Sequence, residues 1–179
     1  MTDKPKPTLT LTAAEGDDPE IGRWLRALKD TRARTRRELR ELPEGILDQA
    51  PPPGGSSIAA ILYHLAIIEA DWLFDDILDT QETDWPAELF PMDAREDGEH
   101  LSAFKGEKLD EHLARLDTVR TMLADTIGGM SIDDLHAPRE RKDYHVSPAW
   151  VLHHLMQHEA EHRSQIGSVR EALGAGLGW

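Results

Sequence analysis

The fold is decided near the C-terminus by residues 147–166, which read SPAWVLHHLMQHEAEHRSQI. Ser147 followed by Pro148 predicts a helix start, because the serine hydroxyl can accept from a backbone N–H and proline's fixed φ suits the first helical position. A stripe at three- and four-residue steps follows and should face the core: Val151, Leu155, His158, His162, Ile166, Val169 and Leu173. Histidines four residues apart lie one turn above the other, so His158 and His162 can bind one divalent cation together.

The composition limits the class of protein around this helix. The chain has 179 residues, 39% of them apolar, which suits a single domain over residues 18–179 after a flexible polar tail over residues 1–17. The formal net charge of −14 argues against nucleic acid and anionic membranes as partners. Cysteine is absent, so any metal must be held by His, Asp or Glu. Because no stretch is apolar enough for a membrane span or a signal peptide, we expect a cytoplasmic protein that acts on a small molecule.

Three further helices are predicted from caps, breakers and apolar spacing. They span about residues 18–43, 57–79 and 106–127. Arginines recur between residues 32 and 40, and we expect them on a solvated face because acidic residues are interleaved. Residues 130–146 are expected to be irregular. Four amphipathic helices without strand periodicity predict an all-α fold, a four-helix bundle.

The connection between helices 2 and 3, residues 80–105, is too long for a hairpin loop between neighbouring helices. It can cross the bundle, which leaves helices 2 and 3 parallel and helix 2 antiparallel to the last helix. At about 1.5 Å per residue, His64 then lies about 22 Å from the end of helix 2. His158 and His162 lie about 15 and 21 Å from the start of the last helix. Antiparallel packing therefore brings the three imidazoles to one level.

Three imidazoles with no obvious fourth ligand are typical of a catalytic divalent site, in which water completes the coordination. His154 lies one turn before His158 and is expected to be either an extra ligand or a supporting donor. Glu159 and Glu161 are candidates for orienting an imidazole or moving a proton, because ligating histidines commonly donate their other N–H to a carboxylate. We therefore predict catalytic roles for His154, Glu159 and Glu161.

Two segments together resemble a known family. Residues 53–66 read PGGSSIAAILYHLA and residues 158–166 read HEAEHRSQI, as in the DinB/YfiT-like superfamily of metalloenzymes. The resemblance covers residues 19–173 and implies a bundle with a crossed connection, often dimeric. It also implies one divalent metal, zinc or nickel, held by three residues: His64, His158 and His162. Some relatives use low-molecular-weight thiols, as S-transferases or as the mycothiol-dependent maleylpyruvate isomerase, so a thiol cosubstrate is implied as well.

The function predicted from these residues is metal-assisted attack on an electrophile by water or a thiol. No cysteine, Gly-rich phosphate loop or evident Ser/His/Asp order offers a better catalyst than the metal. The protein would then be a hydrolase or a thiol S-transferase. The alternative from another class is a non-catalytic bundle whose metal site is structural or vestigial.

A second alternative follows from residues 158–162, which match H-E-x-x-H, the zinc protease motif. The extended protease pattern needs glycine three residues after His162 and histidine three residues later, where Gln165 and Ser168 stand. The sequence context therefore argues against a protease.

Assembly is predicted from aromatic residues outside the helical stripes, namely Trp85, Phe90 and Trp179. We expect them to be exposed, where they can line the site entrance or cover a partner chain. Together with the family resemblance they predict a homodimer.

Overall fold

The structure is a computed structural model that describes residues 8–14, 18–79, 85–96 and 100–176. Four long helices dominate it: α1 (Pro19–Glu38), α2 (Ile58–Asp71), α3 (Leu109–Gly128) and α5 (Pro148–Ala172). A π-helical segment, Trp72–Leu78, continues α2, and a 3-10 turn, Ala87–Leu89, lies in the connection to α3. Between α3 and α5 lie the short α4 (Ile132–His136) and the strands β1 (Arg139–Glu140) and β2 (His145–Val146).

The predicted caps start the helices as expected. The Asp18 carboxylate accepts from the N–H of Glu20 at 2.7 Å, and Pro19 is the first residue of α1. Ser147 accepts from the N–H of Trp150 at 3.3 Å, and Pro148 opens α5. Each cap satisfies a donor that the helix itself leaves without a partner.

Helix α1 ends at Glu38, before the predicted limit near Pro43. There the guanidinium of Arg170, a residue that is 2% exposed, donates hydrogen bonds to the carbonyls of Glu38 and Arg40. Glu41 adopts φ 53°, in the left-handed region, which a continuing helix cannot accommodate. Helix 2 reaches its predicted limit, because the π-helical segment runs to Leu78 before the chain turns at Asp79.

The crossed connection is confirmed by the contacts between helices. Tyr63 of α2 contacts Arg115 of α3, and Glu69, further along α2, contacts Arg120, further along α3. The contacts follow the same order along both helices, so the two helices run parallel. Helix α5 runs antiparallel to α2, since His64 contacts His158 whereas Trp72, in the π-helical continuation of α2, contacts the earlier Trp150. The predicted all-α bundle is therefore correct.

Each long helix carries a polar residue between two apolar core clusters. One cluster includes Leu62 and Leu116, and the other includes Leu73, Leu123 and Leu152. Three of these polar residues are buried, Arg32, Glu69 and Glu159, and the fourth, Arg120, is partly buried.

Residues 130–146 are more ordered than expected. Ser131 caps α4 by accepting from the N–H of Asp134 at 3.1 Å, and Leu135 of α4 is fully buried. The two strands pair antiparallel, with Arg139 opposite Val146. Strands of two residues are too short to produce an alternating pattern, so the sequence did not indicate them.

Some predictions fall partly or wholly outside the described residues. These are the tail over residues 1–17, of which only 8–14 are described, the connection at 80–84 and 97–99, and Trp179. Residues 8–14 have no regular secondary structure, and Leu9 is 91% exposed. Across the described ranges, no helix combines the length and apolarity that a bilayer crossing needs.

Candidate metal centre

Three imidazoles converge between α2 and α5. One ring nitrogen from each of His64, His158 and His162 lies within 4.8 Å of the other two. The Nε2 atoms of His64 and His158 are 3.3 Å apart, and the ring centroids of His158 and His162 are 4.4 Å apart. His64 is buried, whereas His158 and His162 are partly exposed. We call these three residues the histidine cluster.

The spacing and the protonation of the cluster fit a divalent ion. Two nitrogens bound at about 2.0–2.1 Å to a tetrahedral ion are about 3.4 Å apart, close to the separation of the His64 and His158 Nε2 atoms. Burial, then the neighbouring His162 and Arg95, lowers the pKa of His64 to about 4. Burial and the other imidazoles lower the pKa of His158 to about 3. At neutral pH these rings are therefore uncharged, which is the form that binds metal.

Gln165 orients the third imidazole. Its Oε1 lies 2.8 Å from Nδ1 of His162. An amide oxygen can only accept, so Nδ1 carries the proton and Nε2 keeps its lone pair. Outer partners of this kind fix the tautomer of metal-binding histidines. No role at the metal was predicted for Gln165. Its position three residues after His162, on the same helical face, is the sequence signal for this contact.

His154 does not belong to the converging set. Its ring stacks on those of His158 and Trp150, with centroid distances of 5.9 Å and 5.2 Å. The planes of His154 and Trp150 are only 6° apart. The ring of Trp72 also contacts that of His154, with the centroids 4.8 Å apart. Burial lowers the pKa of His154, so its partly exposed ring is neutral at pH 7. Its predicted role as an extra ligand has no counterpart in the cluster, and its role in catalysis stays a prediction.

Glu159 lies in a different environment from its neighbour His158. It is 2% exposed, and its carboxylate accepts from Arg32 Nε at 2.9 Å, Thr35 Oγ1 at 2.7 Å and Arg120 Nη2 at 2.9 Å. Burial opposes the charge, but the two guanidiniums outweigh it and lower the pKa of the carboxyl. Glu161 is exposed, and its negative charge acts on His154 and His162. The catalytic roles of both glutamates stay predictions.

Glu159 is part of a buried group of charges that was not predicted from the sequence. Arg32 also donates to Glu69 at 2.8 Å, and Arg120 contacts both glutamates. We call Arg32, Glu69, Arg120 and Glu159 the ion-pair cluster. Arg32 is 6% exposed, so the expectation that the arginines of residues 32–40 all lie on a solvated face is wrong for this one. Sequence spacing alone does not separate it from exposed neighbours such as Arg34.

Two of the three aromatic residues expected at the surface, Trp85 and Phe90, pack against the core, and the third, Trp179, lies outside the described residues. Phe90 is 7% exposed and Trp85 is partly buried, with their ring centroids 5.3 Å apart. The apolar environment is completed by Phe74, 5.9 Å from Trp85. The exposed aromatic side chains of the described residues are instead Tyr144 and Trp150.

Fold and site together define a helical-bundle protein whose helices α2 and α5 present three histidines suited to one metal ion. The chain belongs to the DinB superfamily, whose sequence model matches residues 27–166. This match confirms the resemblance and includes all three members of the histidine cluster. A comparison with curated proteins finds no match.

Proposed function

We propose that the protein is a divalent-metal-dependent enzyme, a hydrolase or a thiol S-transferase, with His64, His158 and His162 as ligands of zinc or nickel. The observation that carries the proposal is the convergence of three neutral ring nitrogens within 4.8 Å, with no carboxylate in the set. An ion held by three neutral ligands keeps its full charge, which lets it polarise an electrophile and favour the anionic form of a water or thiol.

The chain's own residues support catalysis over a purely structural site. Partial exposure of His158 and His162 leaves the cluster accessible on one side, whereas structural sites are closed by four protein ligands. His154 is neutral, partly exposed and stacked on His158, so it is placed to accept a proton beside the ligands. Gln165 holds His162 in the tautomer that presents Nε2.

The protease alternative receives no support from these contacts. A zinc protease of the H-E-x-x-H type uses the glutamate of the motif as a general base. Here that residue is Glu159, and both of its carboxylate oxygens already accept hydrogen bonds from Arg32, Thr35 and Arg120.

The test is metal analysis of untagged protein, followed by assays of ester hydrolysis and of thiol addition to electrophiles, with and without the metal. We expect about one ion per chain, and we expect His64→Ala to lose both ion and activity. His153→Ala is the control, because His153 is an exposed imidazole on α5, the helix that carries His158 and His162. Metal retained by His64→Ala would refute the ligand set. Activity that survives metal removal would refute the enzyme proposal and favour the non-catalytic bundle.

The homodimer and the cytoplasmic location stay predictions. With Phe90 and Trp85 packed inside, the homodimer is supported by the family resemblance alone. A mass near that of one chain, 20.1 kDa, in light scattering would refute it.

A further inference from the structure

Three aromatic rings from separate elements meet beside the histidine cluster. Trp72 of the π-helical segment lies between Tyr144, which precedes β2, and Trp150 of α5. The centroid of Trp72 is 6.4 Å from that of Tyr144 and 5.5 Å from that of Trp150, with 45° and 49° between the ring planes. Rings tilted in this way form one continuous aromatic surface instead of a flat stack. We call these three residues the aromatic recess.

Two of the three rings are unusually exposed for aromatic side chains. Trp150 is 48% exposed and Tyr144 is 46% exposed, while Trp72, which contacts both rings, is partly buried. Burial of aromatic surface is favourable, and these two exposed rings do not gain that stabilisation from the fold itself. A bound ligand would recover it.

The recess is held in place by polar contacts. The Tyr144 hydroxyl donates to Asp76 Oδ1 at 2.7 Å, and Arg141 donates to the Asp76 carbonyl. On the other side Trp150 stacks on His154 with the planes 6° apart. Little side-chain freedom remains to be lost when a ligand binds, which favours affinity.

The charge around the recess is negative. Asp71 precedes Trp72 and its charge acts on Tyr144, while Asp75 follows one turn later. The positive charge of Arg141 also acts on Tyr144, but this guanidinium is already paired with Asp76 and Asp79. Although Asp71 keeps contact with solvent, desolvation and then repulsion from Asp75 and Asp76 raise its pKa to about 6, so it is ionised at pH 7. A bound cation would relieve this repulsion.

We propose that the aromatic recess, with Asp71, binds an organic cation such as a quaternary ammonium group. Aromatic faces attract a cation that lies within about 6 Å of the ring centroid, most strongly for Trp, and quaternary ammonium ligands are recognised in this way. The recess leads through His154 to His158, so a cationic substrate of the proposed enzyme could occupy both sites. That last step rests on the proposed function; binding of the cation does not.

The test compares choline with its neutral isostere 3,3-dimethyl-1-butanol by 19F NMR of the full chain labelled with 5-fluorotryptophan. The titrations are run in EDTA and again with zinc added, so that the result does not depend on the metal site. We expect choline to shift the signals of Trp72 and Trp150 and to bind at least about tenfold more tightly than the alcohol.

Two variants and one control decide the outcome. Trp150→Ala should weaken choline binding about tenfold, and Asp71→Asn should weaken it severalfold; both residues are exposed, so the fold should persist. Trp24→Phe, on α1, should bind as the parent does. Equal affinity for choline and the alcohol would show an apolar surface without cation recognition and overturn the proposal. Binding that is unchanged in Trp150→Ala, or no choline binding at all, would overturn it too.

Discussion

Two polar clusters are built from neighbouring positions of the same helices and have opposite chemistry. The ion-pair cluster takes Glu69 from α2 and Glu159 from α5, while the histidine cluster takes His64 and His158 from those helices. In the first, each carboxylate accepts from two guanidiniums. In the second, three imidazoles face one another, with one ring nitrogen of each within 4.8 Å of the other two.

The difference indicates what each cluster is for. A buried charge must be paired, and the ion-pair cluster satisfies this requirement within the protein by joining all four long helices. A proton between two of the imidazole nitrogens can satisfy that pair, but it leaves the third nitrogen without a partner inside the cluster. A cluster of this second kind gains most from a ligand that accepts all three lone pairs, which is what a metal ion does.

The largest expected effect comes from breaking the ion-pair cluster. Glu159→Ala leaves Arg32 and Arg120 sharing a single carboxylate in the core, so the free energy of unfolding should fall by about 3–5 kcal/mol. Urea denaturation in EDTA measures this. His158→Ala, one residue earlier, is the matched control and should change the metal-free stability far less. A loss below about 1 kcal/mol for Glu159→Ala would mean that the cluster contributes no more than a surface pair.

The sequence predicted the histidine cluster and missed the ion-pair cluster for a physical reason. Histidines on two helices can be matched by depth, because helix rise is constant and the caps of α2 and α5 fix where counting starts. Arg32 and Glu69 stand among residues that are exposed or apolar, and their partners lie on other helices. Glu159 is predicted as a carboxylate partner of a ligating imidazole, because such histidines commonly donate their other N–H to a carboxylate. One residue along a helix turns the side chain by about 100°, however, and Glu159 contacts Arg32, Thr35 and Arg120.

The next effect concerns the metal affinity of the histidine cluster. Gln165→Ala removes the acceptor that fixes the tautomer of His162, so metal should bind about 10–100-fold more weakly while stoichiometry is kept. Competition with a chelator of known affinity measures the change. Gln157→Ala, an exposed glutamine on the same helix, should have no effect. Unchanged affinity in Gln165→Ala would show that His162 is oriented without Gln165.

The pH dependence of the metal-free protein gives a smaller effect. The pKa of His64 is about 4 in the folded protein and about 6.5 in an unfolded chain, so the unfolded chain binds more protons between these values. The stability due to a neutral His64 is complete above pH 6.5 and is lost as the pH falls toward 4. His64→Gln, in EDTA, should therefore gain about 1–2 kcal/mol relative to the parent between pH 7 and pH 5. A constant difference would show that His64 titrates normally in the fold.

The smallest effect tests whether burial separates the two kinds of charge pair. Arg34 pairs with Asp30 at 2.7 Å, two residues from Arg32 on the same helix, but their side chains are 58% and 47% exposed. Water screens this pair, and ordering two long side chains costs entropy, so a double-mutant cycle with Arg34→Ala and Asp30→Ala should give a coupling of about 0.3–0.5 kcal/mol. The same cycle on Arg32 and Glu159 should give several times more. Both cycles remove an arginine of α1 and a carboxylate that lies 2.7 or 2.9 Å from it. Equal couplings would therefore remove burial as the explanation and leave the ion-pair cluster without a structural role.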